Sequence, residues 1–231
     1  MTSIQLRRLT GSLLIVVPIL FTLCFTLLQM QFEYPDILRQ PTELVLTKFA
    51  AGGTGLIAIW YAITLSALLF VPTAVLVHQT LSAYQPPAYL WVATTFGVLA
   101  GLVQTLGFIR WPFLVPYLAG TYLDPASSEA TRAAVVVVFE AFNRYAGMAI
   151  GEHLGFLCTG IWTFLIAAAL SKTGFIRPWL AVLGMVLAVG IVLGVFEAVG
   201  WVFAGPVNAI SYLLWAVWLV VVGVQFLHQK S

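Results

Sequence analysis

Two acidic residues and a histidine lie inside otherwise apolar segments of this 231-residue chain. Glu152 and His153 are adjacent in the stretch R-Y-A-G-M-A-I-G-E-H-L-G, and Glu197 lies in the next apolar run. A charged side chain at membrane depth costs about 2.5–3.5 kcal/mol even on lenient scales, so such residues are candidates for a functional site. Carboxylates and imidazoles are also common proton-transfer groups in enzymes. We therefore take Glu152, Glu197 and His153 as candidate catalytic residues.

Cationic and amide side chains near these acids are suited to orienting an anionic or polar group. Asn143 and Arg144 precede Glu152 on the same predicted helix, and Arg110 lies at the end of an earlier apolar segment. Glu140 lies four residues before Arg144, a spacing that suits an ion pair on a helix. The candidate ligand-binding residues are Arg144, Asn143, Glu140, Arg110, Gln104, Trp111, Trp201 and Asn208.

Two other interpretations of the same side chains stay open. Glu152 or Glu197 would pair with Arg110, and Glu140 with Arg144, only to hold the helices together. Alternatively, Glu152, His153 and Glu197 would offer oxygen and imidazole ligands to a metal ion, although their spacing is not diagnostic of a metal site. The sequence identifies no cofactor.

The composition indicates that the solvent of this protein is largely lipid. Hydrophobic residues make up 61% of the chain and charged residues 8%, whereas soluble proteins have about 25% charged residues. A net charge of +2 without a basic patch argues against a nucleic-acid partner. Cys24 and Cys158 both lie in apolar runs, so a disulfide framework is not expected.

The apolar runs are long enough for an all-α integral membrane bundle in one polytopic domain, residues 1–231. Its six transmembrane helices are predicted at about 9–30, 55–81, 88–109, 148–170, 178–201 and 206–227, with outer interfacial helices at about 41–51 and 129–147. The segment 113–129 contains two prolines and an aspartate, and we interpret it as an external loop. Ser127 or Ser128 is expected to cap the helix that starts near Glu129.

Small residues recur at helical spacing around the candidate acids. Gly147, Gly151 and Gly155 form one stripe and Gly190 and Gly194 another, each suited to close helix packing in lipid. On a helical projection at 100° per residue, the second stripe shares its face with two candidate site residues, Glu197 and Trp201.

The distribution of charge favours a cytoplasmic N-terminus and C-terminus. The segments then assigned to the cytoplasm are short and carry basic residues but no acidic ones, as the positive-inside rule expects. Those basic residues are Arg7, Arg8, Lys172, Arg177 and Lys230.

Three motifs resemble the bacterial domain-of-unknown-function 4386 membrane proteins. They are the R-Y-A-G-M-A-I-G-E-H-L-G stretch at 144–155, I-R-W-P-F-L-V-P at 109–116 and F-E-Y-P-D-I-L-R at 32–39. The resemblance covers nearly the whole chain in span order. It implies a small multi-pass protein of the bacterial cytoplasmic membrane and carries no activity or cofactor with it.

These observations predict a polar, acid-lined pocket in the outer half of the bundle. Its ligand would be amphiphilic or lipid-like, because the pocket would open between the lipid bilayer and the outer surface. One alternative is a binding, sensory or assembly subunit that docks a membrane partner, or a second copy of itself, through its glycine faces. A small transporter is the third alternative, and it is disfavoured because the inner halves of the spans offer few polar groups.

Overall fold

The computed structural model describes residues 3–228, and this part of the chain is helical without any strand. Six helices are long and apolar enough to cross a membrane, which confirms the predicted six-span all-α bundle. The spans, numbered one to six, are Ser3–Phe32, Gly53–Tyr84, Leu90–Leu123, Glu129–Lys172, Pro178–Val199 and Ala204–His228.

Several spans contain more than one helix. The α-helices are α1 Ser3–Phe32, α2 Thr42–Ala51, α3 Gly53–Leu81, α4 Leu90–Phe108, α5 Arg110–Phe113, α6 Val115–Leu123, α7 Glu129–Phe142, α8 Gly155–Lys172, α9 Pro178–Leu193 and α10 Ala204–His228. A π-helix, Asn143–Leu154, joins α7 to α8, and a 3-10 helix, Gly194–Val199, follows α9.

The six spans close into a ring. Each span packs on the next one in the chain, and α10 returns to pack on α1. Both described ends of the chain, Ser3 and His228, therefore lie at one end of the ring, which we name the proximal end; the opposite end is the distal end. The distal end corresponds to the outer half predicted from sequence. Which end faces the cytoplasm stays a prediction, and Lys230, one of the residues behind it, lies outside the described residues.

The centre of the ring is filled by side chains from spans that are not neighbours. Phe70 of α3 meets Trp162 of α8 edge to face at 4.8 Å between ring centroids, and Trp215 of α10 at 5.8 Å. The indole N–H of Trp215 donates to the hydroxyl of Thr163 on α8 at 2.8 Å. Toward the proximal end the filling is wholly apolar and leaves no room for a water molecule.

Extra helices cover the distal end. The predicted short helix near 41–51 is present as α2, with Pro41 at its N-cap position. Ser128 caps α7 by accepting a hydrogen bond from the Thr131 amide at 3.1 Å, as predicted for this serine pair.

The prediction of an external loop at 113–129 is wrong for most of that segment. Residues Val115–Leu123 form α6, which continues the line of α4 and α5. The prediction treated Pro116 as a helix breaker. Pro116 instead occupies the first turn of α6, where a residue's N–H has no intrahelical partner and proline is tolerated.

Candidate functional site

A π-helix of twelve residues carries the conspicuous polar motif of the sequence. Residues Asn143–Leu154 follow the wider π pattern, which in most proteins extends over a single turn and is frequent at functional sites. The wider turn also invalidates a projection at 100° per residue across this segment. Side-chain directions after Phe142 must therefore be taken from the structure.

Close contact with α4 holds the π-helix in place. Gly151 and Gly107 face each other with their backbones in contact, and Gly155 packs on the side chain of Gln104. A Cβ atom built on Gly151 would lie 2.9 Å from the Cα of Gly107, which leaves no space for any side chain there. The first predicted glycine stripe thus packs within the chain.

Gly147, the third glycine of that stripe, makes room for a buried arginine. The guanidinium of Arg110 lies directly against Gly147, where any side chain would collide with it. One of its nitrogens donates to the carbonyl of Gly107 and the other to the Asn143 side-chain oxygen at 3.1 Å. The guanidinium also lies 5.3 Å from the ring centroid of Trp111.

All these partners of Arg110 are neutral. Arg110 is only 8% exposed, and no ion pair reaches it among residues 3–228. A buried charge is normally paired with an opposite charge, because leaving water costs several kcal/mol per ion. The structure therefore does not bear out the simple pairing of Arg110 with Glu152 or Glu197.

Glu152 lies near the distal end of the ring axis. Its side chain is half-buried, and within the described chain it forms no ion pair. Five ionisable side chains nevertheless lie within electrostatic range of its carboxylate, and they come from the first distal connection and from spans three, five and six. They are Tyr34, Arg110, Glu197, Tyr212 and Arg39.

Tyr34 is a member of this group that sequence reasoning missed. It follows α1, is buried, and packs edge to face on Trp60 at 5.0 Å. Burial raises the pKa of Tyr34 above its ordinary value, and the negative charge of Glu152 raises it further, against an opposite effect of Arg110. The hydroxyl therefore stays protonated and able to donate a hydrogen bond. Tyr34 lies in the F-E-Y-P-D-I-L-R motif at 32–39, but a Tyr before Pro in a loop resembles any turn, so the motif did not indicate a role in this group.

Polar side chains continue from Glu152 toward the middle of the ring. The amide of Gln104 donates to the hydroxyl of Thr159 at 2.9 Å, and the Tyr212 hydroxyl approaches the same threonine. The ring of Tyr212 meets Phe156 at 5.8 Å between centroids. The polar series ends at Thr163 and Trp215, above the apolar filling of the proximal half.

A layer of buried aromatic residues separates this group from the covering helices. Trp60 and Trp111 are fully buried and stack in parallel, with 4.3 Å between centroids and 8° between planes. The indole N–H of each has no hydrogen-bond partner. Buried hydrogen-bond donors without partners are uncommon. The two indole N–H groups are therefore further polar groups at the distal end that lack a partner, besides Arg110 and Glu152, which lack an ion pair.

Span five presents its glycines to α10. Gly190 packs on Ser211, and Gly194 packs on Asn208, whose amide donates to the carbonyl of Ile191 at 2.7 Å. Asn208 therefore joins two helices and has little capacity left for a ligand. Like the first glycine stripe, these glycines pack against another helix of the same chain.

Glu197 and Trp201 do not share one face as the projection assumed. The α-helix ends at Leu193, Glu197 lies in the 3-10 helix, and the chain turns at Gly200 with a φ of 84°. Glu197 lies near the start of α10, about 3.7 Å from the position of a Cβ on Gly205. Trp201 lies beyond the turn, is 40% exposed and packs on Phe196.

Glu140 and Arg144 lie at the surface. Their charged atoms are 4.0 Å apart and both side chains are more than half exposed. Glu140 also accepts a hydrogen bond from Thr42 of α2 at 3.4 Å. Glu140 and Arg144 therefore form an ion pair at the surface of one helical span.

The residues described contain no group of three or more histidine, cysteine or acidic side chains that could hold a metal ion. Glu152, His153 and Glu197 are thus not assembled as a metal site. His153 is half-buried on the π-helix beside Glu152. Its role stays a prediction.

A wholly apolar groove lies between spans four and five. This groove has a volume of about 250 Å³ and begins one turn below Glu197. It is lined by Gly160, Ile161, Phe164, Leu165, Ala188, Val189, Val192 and Leu193.

Comparison with known proteins gives one finding. The family model described as "Domain of unknown function (DUF4386)" matches residues 9–223, nearly the whole chain. No curated protein and no solved structure matches. The chain, a multi-pass membrane protein, belongs to the DUF4386 family.

Proposed function

We propose that this protein binds an amphiphilic, lipid-like ligand at its distal end, in a bacterial cytoplasmic membrane. The ligand's polar headgroup would lie between Arg110 and Glu152. The observation that carries the proposal is that these two opposite charges lie within electrostatic range and yet form no ion pair.

A headgroup with both an anionic oxygen and a donor would satisfy both groups at once. Guanidinium groups hold carboxylate and phosphate oxygens in two parallel hydrogen bonds, and carboxylates accept hydrogen bonds from hydroxyl or amino groups. Tyr34, kept protonated, offers a further donor close to the same place.

The apolar groove supplies a place for the ligand's chain. It has no polar lining, so water gains nothing by filling it. It begins close to Glu197 and runs along spans four and five at the depth of the hydrocarbon. An amphiphile could therefore keep its chain in the groove and its headgroup between Arg110 and Glu152.

The rival interpretations have less support. Docking of a partner through the glycine stripes needs free glycine faces, and both stripes already pack within the chain. Transport needs a polar path to the proximal end, and the apolar filling there is closed to water. A catalytic version of the proposal adds proton transfer by Glu152, Glu197 and His153.

The test is to isolate the protein in discs of its native membrane and to quantify co-purified amphiphiles by mass spectrometry. The informative variant is Arg110→Gln, and its matched control is Arg144→Gln, which removes the same charge from an exposed position. We expect one amphiphile enriched over bulk lipid with wild type and with Arg144→Gln. Its amount should fall at least about tenfold with Arg110→Gln, which corresponds to about 1.4 kcal/mol of binding free energy.

A second variant, Gly147→Ala, keeps the proposal testable if Arg110→Gln does not fold. Its methyl group would displace the end of a flexible side chain rather than backbone, so the fold should survive while the guanidinium moves. Gly120→Ala, at an open position on α6, is its control. Absence of an enriched amphiphile from wild type, or its full retention by Arg110→Gln and Gly147→Ala, would overturn the proposal.

A further inference from the structure

A second buried arginine lies at the opposite end of the ring. Arg7 of α1 is 8% exposed, and its Nε has no hydrogen-bond partner. None of the ion pairs among residues 3–228 involves it. Its neighbour Arg8 carries the same charge and is exposed.

The contacts one turn deeper locate Arg7 in the fold. Thr10 hydrogen-bonds to the hydroxyl of Thr80 on α3 at 2.9 Å, and Gly11 packs on Gly223 of α10. Residues i, i+3 and i+4 share one face of a helix, so Arg7 lies over the same seam between α1, α3 and α10. It precedes the apolar run, which places it at the level of the lipid headgroups.

No acidic side chain is available to neutralise this charge. The sequence contains eight acidic residues, and every one lies in a distal connection or in the distal part of a span. They are Glu33, Asp36, Glu43, Asp124, Glu129, Glu140, Glu152 and Glu197. Arg8, Lys172 and Arg177 add further positive charge at the proximal end.

We propose that Arg7 binds the phosphate of an anionic phospholipid from the leaflet that surrounds the proximal end. The planar guanidinium matches phosphate oxygens in two parallel hydrogen bonds, and the Nε without a partner is one of the donors used in such pairs. Basic pockets between transmembrane helices are known to hold anionic headgroups in this way. A bilayer lipid suits the position better than free phosphate, since the seam lies between membrane-spanning helices.

The lipid would also act on the structure. The seam joins the first and last spans, the only junction of the ring that no connecting segment closes. A headgroup held at Arg7 would neutralise a buried charge at this junction. Anionic lipid should therefore raise the stability of the closed ring.

The experiment compares Arg7→Gln with Arg8→Gln, adjacent substitutions with the same loss of charge. Each protein is placed in nanodiscs of phosphatidylcholine alone or of phosphatidylcholine with phosphatidylglycerol. Bound lipid is counted by native mass spectrometry, and the melting temperature is measured in both compositions. Wild type and Arg8→Gln should retain phosphatidylglycerol and melt higher in its presence, whereas Arg7→Gln should lose about tenfold in occupancy and lose the shift in melting temperature.

Further experiments distinguish a bilayer lipid from free phosphate as the ligand, and headgroup binding from a purely structural role of Arg7. Arg7→Lys keeps the charge without the planar fork, so it should bind phosphatidylglycerol more weakly than wild type and more strongly than Arg7→Gln. Inorganic phosphate added to protein in a neutral detergent should give no stabilisation; an effect equal to that of the lipid would overturn the lipid assignment. Equal lipid retention by Arg7→Gln and Arg8→Gln would overturn the site itself. Because the distal variant Arg110→Gln keeps Arg7, it should retain phosphatidylglycerol whatever happens to the distal ligand.

Discussion

The two ends of the ring differ in the sign of their charged residues and in the helices that cover them. The distal end carries all eight acidic residues together with five basic ones, under a cover of four further helices, α2, α5, α6 and α7. The proximal end has short connections, basic residues and no acid among those described. Charges of both signs beneath covering helices can hold a ligand in a defined orientation. Basic residues without acidic neighbours suit the anionic headgroup region of a bilayer.

The ends also differ in how they satisfy buried tryptophans. Toward the proximal end, the indole N–H of Trp218 donates to the carbonyl of Leu180 at 2.8 Å. At the distal end, Trp60 and Trp111 stack against each other, and their N–H groups have no partner. The stacked distal pair therefore retains N–H donors without partners beside the distal charges, whereas the N–H of Trp218 is hydrogen-bonded.

The largest expected effect is the difference in thiol labelling between cysteines introduced at the two ends of the ring. Ala126→Cys places a thiol in the connection before α7, and Ala83→Cys places one in the connection after α3. With the termini in the cytoplasm, an impermeant thiol reagent applied to intact cells should label Ala126→Cys fully and Ala83→Cys not at all.

Cys24 and Cys158 are buried, so the unsubstituted protein provides a low background for this experiment. Labelling of Ala83→Cys alone would invert the orientation. The distal site would then face the cytoplasm, and the basic proximal end would face outside.

A smaller effect separates the tryptophans of the two halves. Trp218→Phe removes the hydrogen bond to the Leu180 carbonyl, so it should lower the free energy of unfolding by about 0.5–1.5 kcal/mol. Trp111→Phe removes a donor that has no partner and should cost less than Trp218→Phe. Thermal unfolding in one detergent measures both.

Trp179→Phe is the control for these variants, because this tryptophan is 59% exposed at the start of α9. An equal or larger loss with Trp111→Phe would contradict this expected order. The contrast between the two halves would then fail.

The smallest effect concerns Tyr34 at alkaline pH. Its pKa is raised in the folded protein, so its contribution to stability is complete below the unfolded pKa of about 10 and is lost as pH rises toward the folded value. At about pH 11 the loss should approach 1.4 kcal/mol, the equivalent of one pKa unit. Tyr34→Phe should therefore lose less stability than wild type between about pH 9 and 11.

The measurement is the melting temperature in a buffered detergent series. The same alkaline loss in Tyr34→Phe and wild type would contradict the buried, protonated state of Tyr34.

Local sequence rules sufficed for the helices and their packing surfaces. The length of the apolar runs predicts six spans, and four-residue glycine spacing predicts close helix contacts. Gly151 against Gly107 and Gly194 against Asn208 show where those contacts form. The rules failed where helix geometry changed, because Pro116 begins a helix and the π and 3-10 segments rotate the residues that follow them.

The sequence by itself determined that this is a six-span membrane protein with its acids gathered toward one end, because hydropathy and charge are properties of each segment alone. Only the tertiary structure decided which charges meet. The π-helix and Gly147 bring Arg110 to Asn143, and closure of the ring brings Tyr34 and Tyr212 within range of Glu152. Those groups come from different segments of the chain, and no pattern within one segment encodes how the segments pack.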